Sequence, residues 1–175
     1  MRNPFTRTVP VPADVVARAG LPRGDRVLAG AEADDGTWLL GTRDALVVLA
    51  VDDAPRSLPW ERVETADWDR DLDRLRVVEV AVFGQVRPVH ELTVPRPGLL
   101  LQLIRERVTA SVLLVRHVPL EGRRGVRVIA RRPPAGDRAL RWVYEYDPGI
   151  DPDDPTVRLA AETALAAAQD EVGLI

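Results

Sequence analysis

Few side chains in this sequence of 175 residues could do covalent or metal chemistry. Two histidines are present, His90 and His117, and two serines, Ser57 and Ser111. Cysteine is absent, and so is lysine: all 24 basic residues are arginine. Without a thiol there is no cysteine nucleophile, no disulfide framework and no thiolate metal site. Without lysine there is no Schiff base to pyridoxal phosphate and no Walker-type phosphate loop. Neither serine lies in a nucleophile-elbow context, and two histidines lacking a third nitrogen ligand make a poor zinc set. His90 is the base to examine first, and a small hydrolase built on it and nearby carboxylates is the weakest of three readings. Its neighbour Glu91 would point to the opposite face of a strand. His117, after Arg116, falls at the end of a predicted helix, where an imidazolium would meet the helix dipole favourably. Both are expected to be ordinary surface or half-buried residues, so the expectation is of no catalytic residue, no metal and no cofactor.

Two charge patterns stand out. Asp67, Asp69, Asp71 and Asp73 alternate and would share one side of a strand, offering hard oxygen ligands. A calcium loop counted from Asp67 needs glycine at its sixth position and glutamate at its twelfth, where Leu72 and Val78 stand. With Arg70, Arg74 and Arg76 interleaved, the run reads as a solvated hairpin turn. A second acidic run, Asp147, Asp151, Asp153 and Asp154, reads as turn and capping chemistry. The stronger pattern is basic. Between 116 and 141 stand Arg116, Arg123, Arg124, Arg127, Arg131, Arg132, Arg138 and Arg141 against Glu121 and Asp137, a local charge of +6 in a chain of net −3. Residues 145–175 carry eight acids and one arginine, Arg158. Guanidinium forks suit phosphate and carboxylate equally. The cluster either presents an anion-binding surface (Arg116, Arg123, Arg124, Arg127, Arg131, Arg132, Arg141) or is neutralised by the acidic C-terminal segment or the 64–73 turn, with neutralisation slightly ahead.

The elements that must place these residues are short strands first. After a proline-punctuated start with one helical candidate, Ala13 to Ala19, strands are predicted at Arg26–Ala33, Trp38–Thr42, Ala45–Val51, Leu58–Trp68, Arg74–Val82 and Arg87–Val94. Asp34-Asp35-Gly36 supplies a hairpin turn and Phe83-Gly84 a break. With no space for crossovers the sheet should be antiparallel. An amphipathic helix is expected over Leu99–Val115, its last part β-rich enough to be a strand, with Pro119 ending the element. A hairpin, Val126–Ala130 and Leu140–Tyr146 turning at 133–137, then leads to a helix from Pro155 to about Val172, opened by Asp154 as N-cap. On that helix Val157, Ala161, Ala164, Leu165 and Ala168 share a face, and Trp142, Tyr144 and Tyr146 alternate on the strand expected to receive it.

That order of strands closed by a helix resembles bacterial pleckstrin-homology-like (PH-like) proteins. The phrases that carry the likeness are RVLAGAEADDGTWLLGTRDALVVLAVDD (26–53), SLPWERVETADWDRDLDRLRV (57–77) and PGLLLQLIRERVTASVLL (97–114). The resemblance implies an α+β chain: an N-terminal arm over 1–23, a PH-like core of two antiparallel sheets (barrel or sandwich) capped by a helix over 24–118, and a hairpin–helix extension over 119–175. It implies no activity. Phosphoinositide-binding members of the wider fold place basic residues in the loop between the first two strands. Here that loop, Ala33-Asp34-Asp35-Gly36, is acidic and would repel a phosphate headgroup.

The N-terminus holds no signal-peptide-like apolar run and no stretch long enough to span a membrane, so a cytoplasmic protein without integral membrane contact is expected. The arginine-only composition is the one GC-rich bacterial codon usage would produce. The leading expectation is a non-enzymatic binding or scaffolding module for a protein partner or for self-association. The alternative is a nucleic-acid or anionic-headgroup binder using the arginines of 116–141.

Overall fold

A computed structural model describes residues 10–80, 88–133 and 140–173. Helix α1 (Ala13–Arg18) starts behind Pro12, with Asp14 in its first turn and Arg18 in its last, both favourable to the helix dipole. Strands β1 (Ala29–Glu32), β2 (Trp38–Gly41), β3 (Ala45–Leu49) and β4 (Arg56–Pro59) then pair consecutively in an antiparallel sheet. The β1–β2 turn forms where Asp-Asp-Gly predicts it: Gly36 takes φ 82°, and Thr37 N–H donates to Asp35 Oδ1 at 2.9 Å. Both faces of this sheet are covered. Ala29, Ala31, Leu39, Leu46 and Leu58 join the main core, while Trp38, Leu40, Val47 and Leu49 lie against Val15 and Ala19 of the α1 segment. Strands covered on both faces lose the polar alternation that marks a half-exposed sheet.

The single strand expected over Leu58–Trp68 is two strands. At Trp60–Arg62 the chain makes one 3-10 turn, leaves the first sheet, and starts β5 (Val63–Asp69) in a second one. Trp60 drives the break: its ring is fully buried and its indole N–H donates to the Thr42 carbonyl at 3.2 Å. β5, β6 (Arg74–Glu79) and β7 (Val89–Thr93) pair antiparallel in that order. The 83–84 break lies outside the described residues. Helix α2 (Leu100–Ser111) lays Leu100, Leu103 and Ile104 into the main core beside Trp60, Val63, Leu75 and Val77. Gly41 lets it approach: a Cβ there would stand 2.5 Å from Leu103 Cδ2 and 3.2 Å from Leu100 Cδ1.

α2 ends at Ser111, short of the expected Val115, and β8 (Val112–Glu121) begins at the next residue. Valine at 112, 115 and 118 favours extended backbone over helix. Pro119 does not end the element as expected; it sits inside β8, which is an outer strand and tolerates a missing N–H. β8, β9 (Arg124–Arg131) and β10 (Arg141–Tyr146) form a third antiparallel sheet with β9 central. Most of the 133–137 turn lies outside the described residues, as does Arg138. Helix α3 (Pro155–Val172) starts at Asp154, whose carboxylate accepts from the N–H groups of Thr156 and Val157, and stops at Gly173 in the left-handed region. Ala161, Ala164 and Ala168 are its buried residues; Ala164, Ala168 and Leu165 lie on Val128 with Leu114, Val118, Trp142 and Tyr144, so the alternating aromatics do receive the last helix.

The chain is therefore α+β with three antiparallel sheets and a C-terminal helix, rather than two sheets. Its described residues cluster into two units: residues up to Ser111 with Pro133, and Val112–Arg132 with 140–173. The division falls between 111 and 112, where the sequence places it at 118/119, because β8 pairs along its length with β9. No helix among the described residues is long and apolar enough to cross a membrane.

Candidate functional site

Strand β6 sets the most unusual group in the first unit. Period-two alternation puts Leu75, Val77 and Glu79 on one face. Leu75 and Val77 are core residues, and Glu79, at 1% exposure, is buried with them. A carboxylate so placed needs partners, and three elements provide them. Arg56 of β4 reaches Glu79 Oε1 at 2.5 Å, and His90 Nε2 of β7 lies 2.8 Å from the same oxygen. Arg62, at the end of the 3-10 turn, stands 3.5 Å from Oε2. Glu91, on the opposite face of β7 as expected, faces Arg76 at 3.4 Å and Arg74 at 3.9 Å instead. His90 is half-buried, and it has a carboxylate partner that the sequence reading did not assign. The missed signal was local: a lone acid inside the valine run Val77-Val78-Glu79-Val80, in phase with the buried face. Arg56 was missed because it is 23 residues away.

Three of the arginines of 116–141 pair with acids of the second unit. Arg116 pairs with Glu171 of α3 at 3.4 Å, and Arg124 with Glu121 at 2.9 Å. Arg127 holds Glu145 at 3.2 Å and Asp147 at 2.5 Å. Arg131 is buried, at 4% exposure. The acids that pair with Arg116 and Arg127 come from the C-terminal segment, one of the two options the sequence offered. Arg123, Arg132 and Arg141 are exposed and lack an acidic partner among the described residues. They do not converge: Arg123 stands at the β8–β9 turn, while Arg132 follows the other end of β9 and Arg141 opens β10 opposite Arg131, about 25 to 30 Å away by strand rise.

His117 is not at a helix end. It lies within β8, opposite Arg127, and Glu145 of β10 completes the row across the sheet. Its Nε2 stands 3.4 Å from Asp147 Oδ2. Asp147 is held below the usual carboxylate range, first by the Gly125 N–H it accepts at 2.9 Å, opposed by desolvation, and helped by Arg127 and His117. The Asp154 carboxyl is lowered too, chiefly by its two cap N–H groups. Groups whose folded pKa is depressed stabilise fully above the ordinary value, 3.8, and lose that contribution as pH falls through the lower folded value. The second unit should therefore melt at progressively lower temperature once pH drops below about 4, and Asp147→Asn should flatten that fall. Trp142, the one tryptophan of this unit, reports it; a melting temperature independent of pH from 6 to about 3 would contradict the assignment.

The acidic alternation forms the β5–β6 turn. Asp69 Oδ1 accepts from the N–H groups of Asp71 and Leu72 at 2.9 and 3.2 Å, and Asp73 takes φ 48°. Among the described residues no three His, Asp or Glu side chains gather where they could hold a metal ion. The β1–β2 turn borders a cleft of about 280 Å³ lined by Glu32, Ala33, Asp34, Gly36, Pro95 and Arg96. Two carboxylates outnumber one guanidinium there, in keeping with a loop that repels phosphate.

One surface differs in kind. Along β8 the exposed residues are Leu113, Val115, His117, Pro119 and Glu121, and among the described residues β8 has a hydrogen-bonded neighbour on one side only, β9. Leu113 and Val115 are 40% and 53% exposed. No protein-family model, no curated protein and no solved structure matches this chain.

Proposed function

We propose that this chain is a non-enzymatic protein-binding module, and that β8 is the strand at which it takes its partner. The observation that carries the reading is that outer strand. It runs for ten residues with one edge unpaired among the described residues and shows two adjacent same-face aliphatics to solvent. Native proteins usually blunt such an edge with charge, bulges or cover, because it templates pairing with another chain. Here the irregularities at Val112/Leu114 and Pro119/Glu121, with Pro119 itself, limit regular pairing to Leu114–Val118.

A PH-like first unit is part of the proposal. Its support is the order of elements: the sheet β1–β4, then the sheet β5–β7, then α2 laid into the core they share. The non-enzymatic reading is supported by Ser111, whose hydroxyl is buried and donates to the Val108 carbonyl. The nucleic-acid alternative is weakened by the ion pairs of Arg116, Arg124 and Arg127, which leave no continuous basic stripe.

Sedimentation velocity over a concentration series tests the reading, with Leu113→Lys/Val115→Lys as comparison. A dimer that dissociates in the double variant supports self-pairing through β8. A monomer that retains a protein from native lysate, released by the double variant, supports a different protein partner. A monomer with no binding sensitive to these two residues would overturn the assignment of β8.

A further inference from the structure

The Glu79 cluster holds more cationic chemistry than its carboxylate uses. Arg56 engages Glu79 through one terminal nitrogen, and so does Arg62. Neither has another acidic partner among the described residues, and their side chains are 55% and 47% exposed. The remaining N–H groups of both forks therefore face water. Two guanidinium charges against one carboxylate leave a surplus of one positive charge. We propose that Arg56 and Arg62, both held against Glu79, bind a small oxyanion.

Three physical points support that ligand class. Both arginine heads are held against one carboxylate, so they converge on a point instead of lying in a line. This suits one compact anionic group and not a polymer. The orientation is prepaid: Glu79 is fixed in the core, and an arginine already tethered loses less rotamer freedom when a ligand arrives. The same logic applies where an outer carboxylate orients a cationic or metal-binding ligand group. Finally, guanidinium forks recognise tetrahedral and planar oxyanions alike through paired N–H donors, so phosphate, sulfate and dicarboxylates share the necessary chemistry. This site lies in the first unit and is independent of the β8 reading.

The test is calorimetric titration of the full chain with sulfate, inorganic phosphate and succinate in separate arms, chloride adjusted to hold ionic strength. The expected result is saturable binding with one site per chain for at least one of the three. Arg56→Gln and Arg62→Gln should each weaken it about tenfold or more, the effect of removing a charge-assisted hydrogen bond. Each variant leaves Glu79 one arginine and His90 as partners, so the fold is retained, which unchanged tryptophan emission checks. Arg105→Gln removes the same charge from the exposed side of α2 and should leave binding unaltered. Binding that does not saturate, or that falls equally in Arg105→Gln, would overturn the site as mere charge attraction. Capture on anionic lipid vesicles through Arg56 and Arg62, with no binding of the free anions, would overturn the small-ligand assignment.

Discussion

Glu79→Ala should destabilise the first unit by about 3 kcal/mol, because removing one member of a buried ion pair strands the others. The estimate sits at the low end of that range because Arg56 and Arg62 are half exposed and can rehydrate. His90, at 19% side-chain exposure, cannot do so to the same degree. Glu79→Gln keeps an acceptor in place and should lose less, about 1 to 2 kcal/mol. Arg62→Gln, which removes only the 3.5 Å partner, should lose under about 1 kcal/mol. The ordering Ala, then Gln, then the single arginine variant is the informative result. Chemical denaturation followed through the buried Trp60 measures it. A Glu79→Ala protein within about 1 kcal/mol of the parent would show that the cluster behaves as a solvated surface pair.

The second large effect is expected at Gly125→Ala. A Cβ at this position would be driven onto the Val118 carbonyl oxygen, with Pro119 Cα at 2.8 Å. Both obstacles are backbone, so no side-chain rotation relieves them. β8 and β9 would have to spread where the register already shifts between Pro119 and Glu121. Gly125 also donates to Asp147 Oδ2 and accepts from Asp147 N–H, at 2.9 and 3.0 Å. Spreading the strands would break both bonds, so the loss should reach about 3 kcal/mol, the upper part of what overpacking costs. Gly122→Ala, three residues earlier, is the control. Its φ of 62° imposes only left-handed backbone strain, about 1 to 2 kcal/mol, with nothing within 4 Å of the added methyl. Trp142 emission during urea unfolding compares the two. Equal losses would mean that β8 and β9 have slack opposite Gly125.

How far the sequence reached can be judged from particular residues. Asp154 followed by Pro155 placed the start of α3 to the residue, since cap and first-turn chemistry are local. The alanine face and the Trp142–Tyr144 alternation then gave the packing of that helix. The chain's change of sheet at Trp60 was invisible. Leu58 to Trp68 is uniformly strand-like, and only burial of the Trp60 ring against Thr42, far back in sequence, bends it. At 111/112 helix and strand propensities were nearly balanced, and pairing with β9 decided in favour of strand. The candidate site followed the same division. The neutralisation of Arg116 and Arg127 was readable as charge bookkeeping along the chain. Glu79 was readable only as a misplaced acid, because its partners at 56, 62 and 90 come from separate elements that the fold alone assembles.

The join between α2 and β8 constrains chain length. Ser111 is the last helical residue and Val112 the first of the strand, so two periodicities meet without a spacer. One advances about 100° per residue and the other 180°. A single inserted residue could be absorbed in one of two ways. α2 could lose its final turn, exposing Ser111, or β8 could slide by one and turn Leu114 and Val118 out to water while Leu113 and Val115 face α3. Two inserted residues restore the parity of the strand. The join therefore tolerates insertions by evenness and not by size, unlike the open turn at Gly122-Arg123, where added length alters no face.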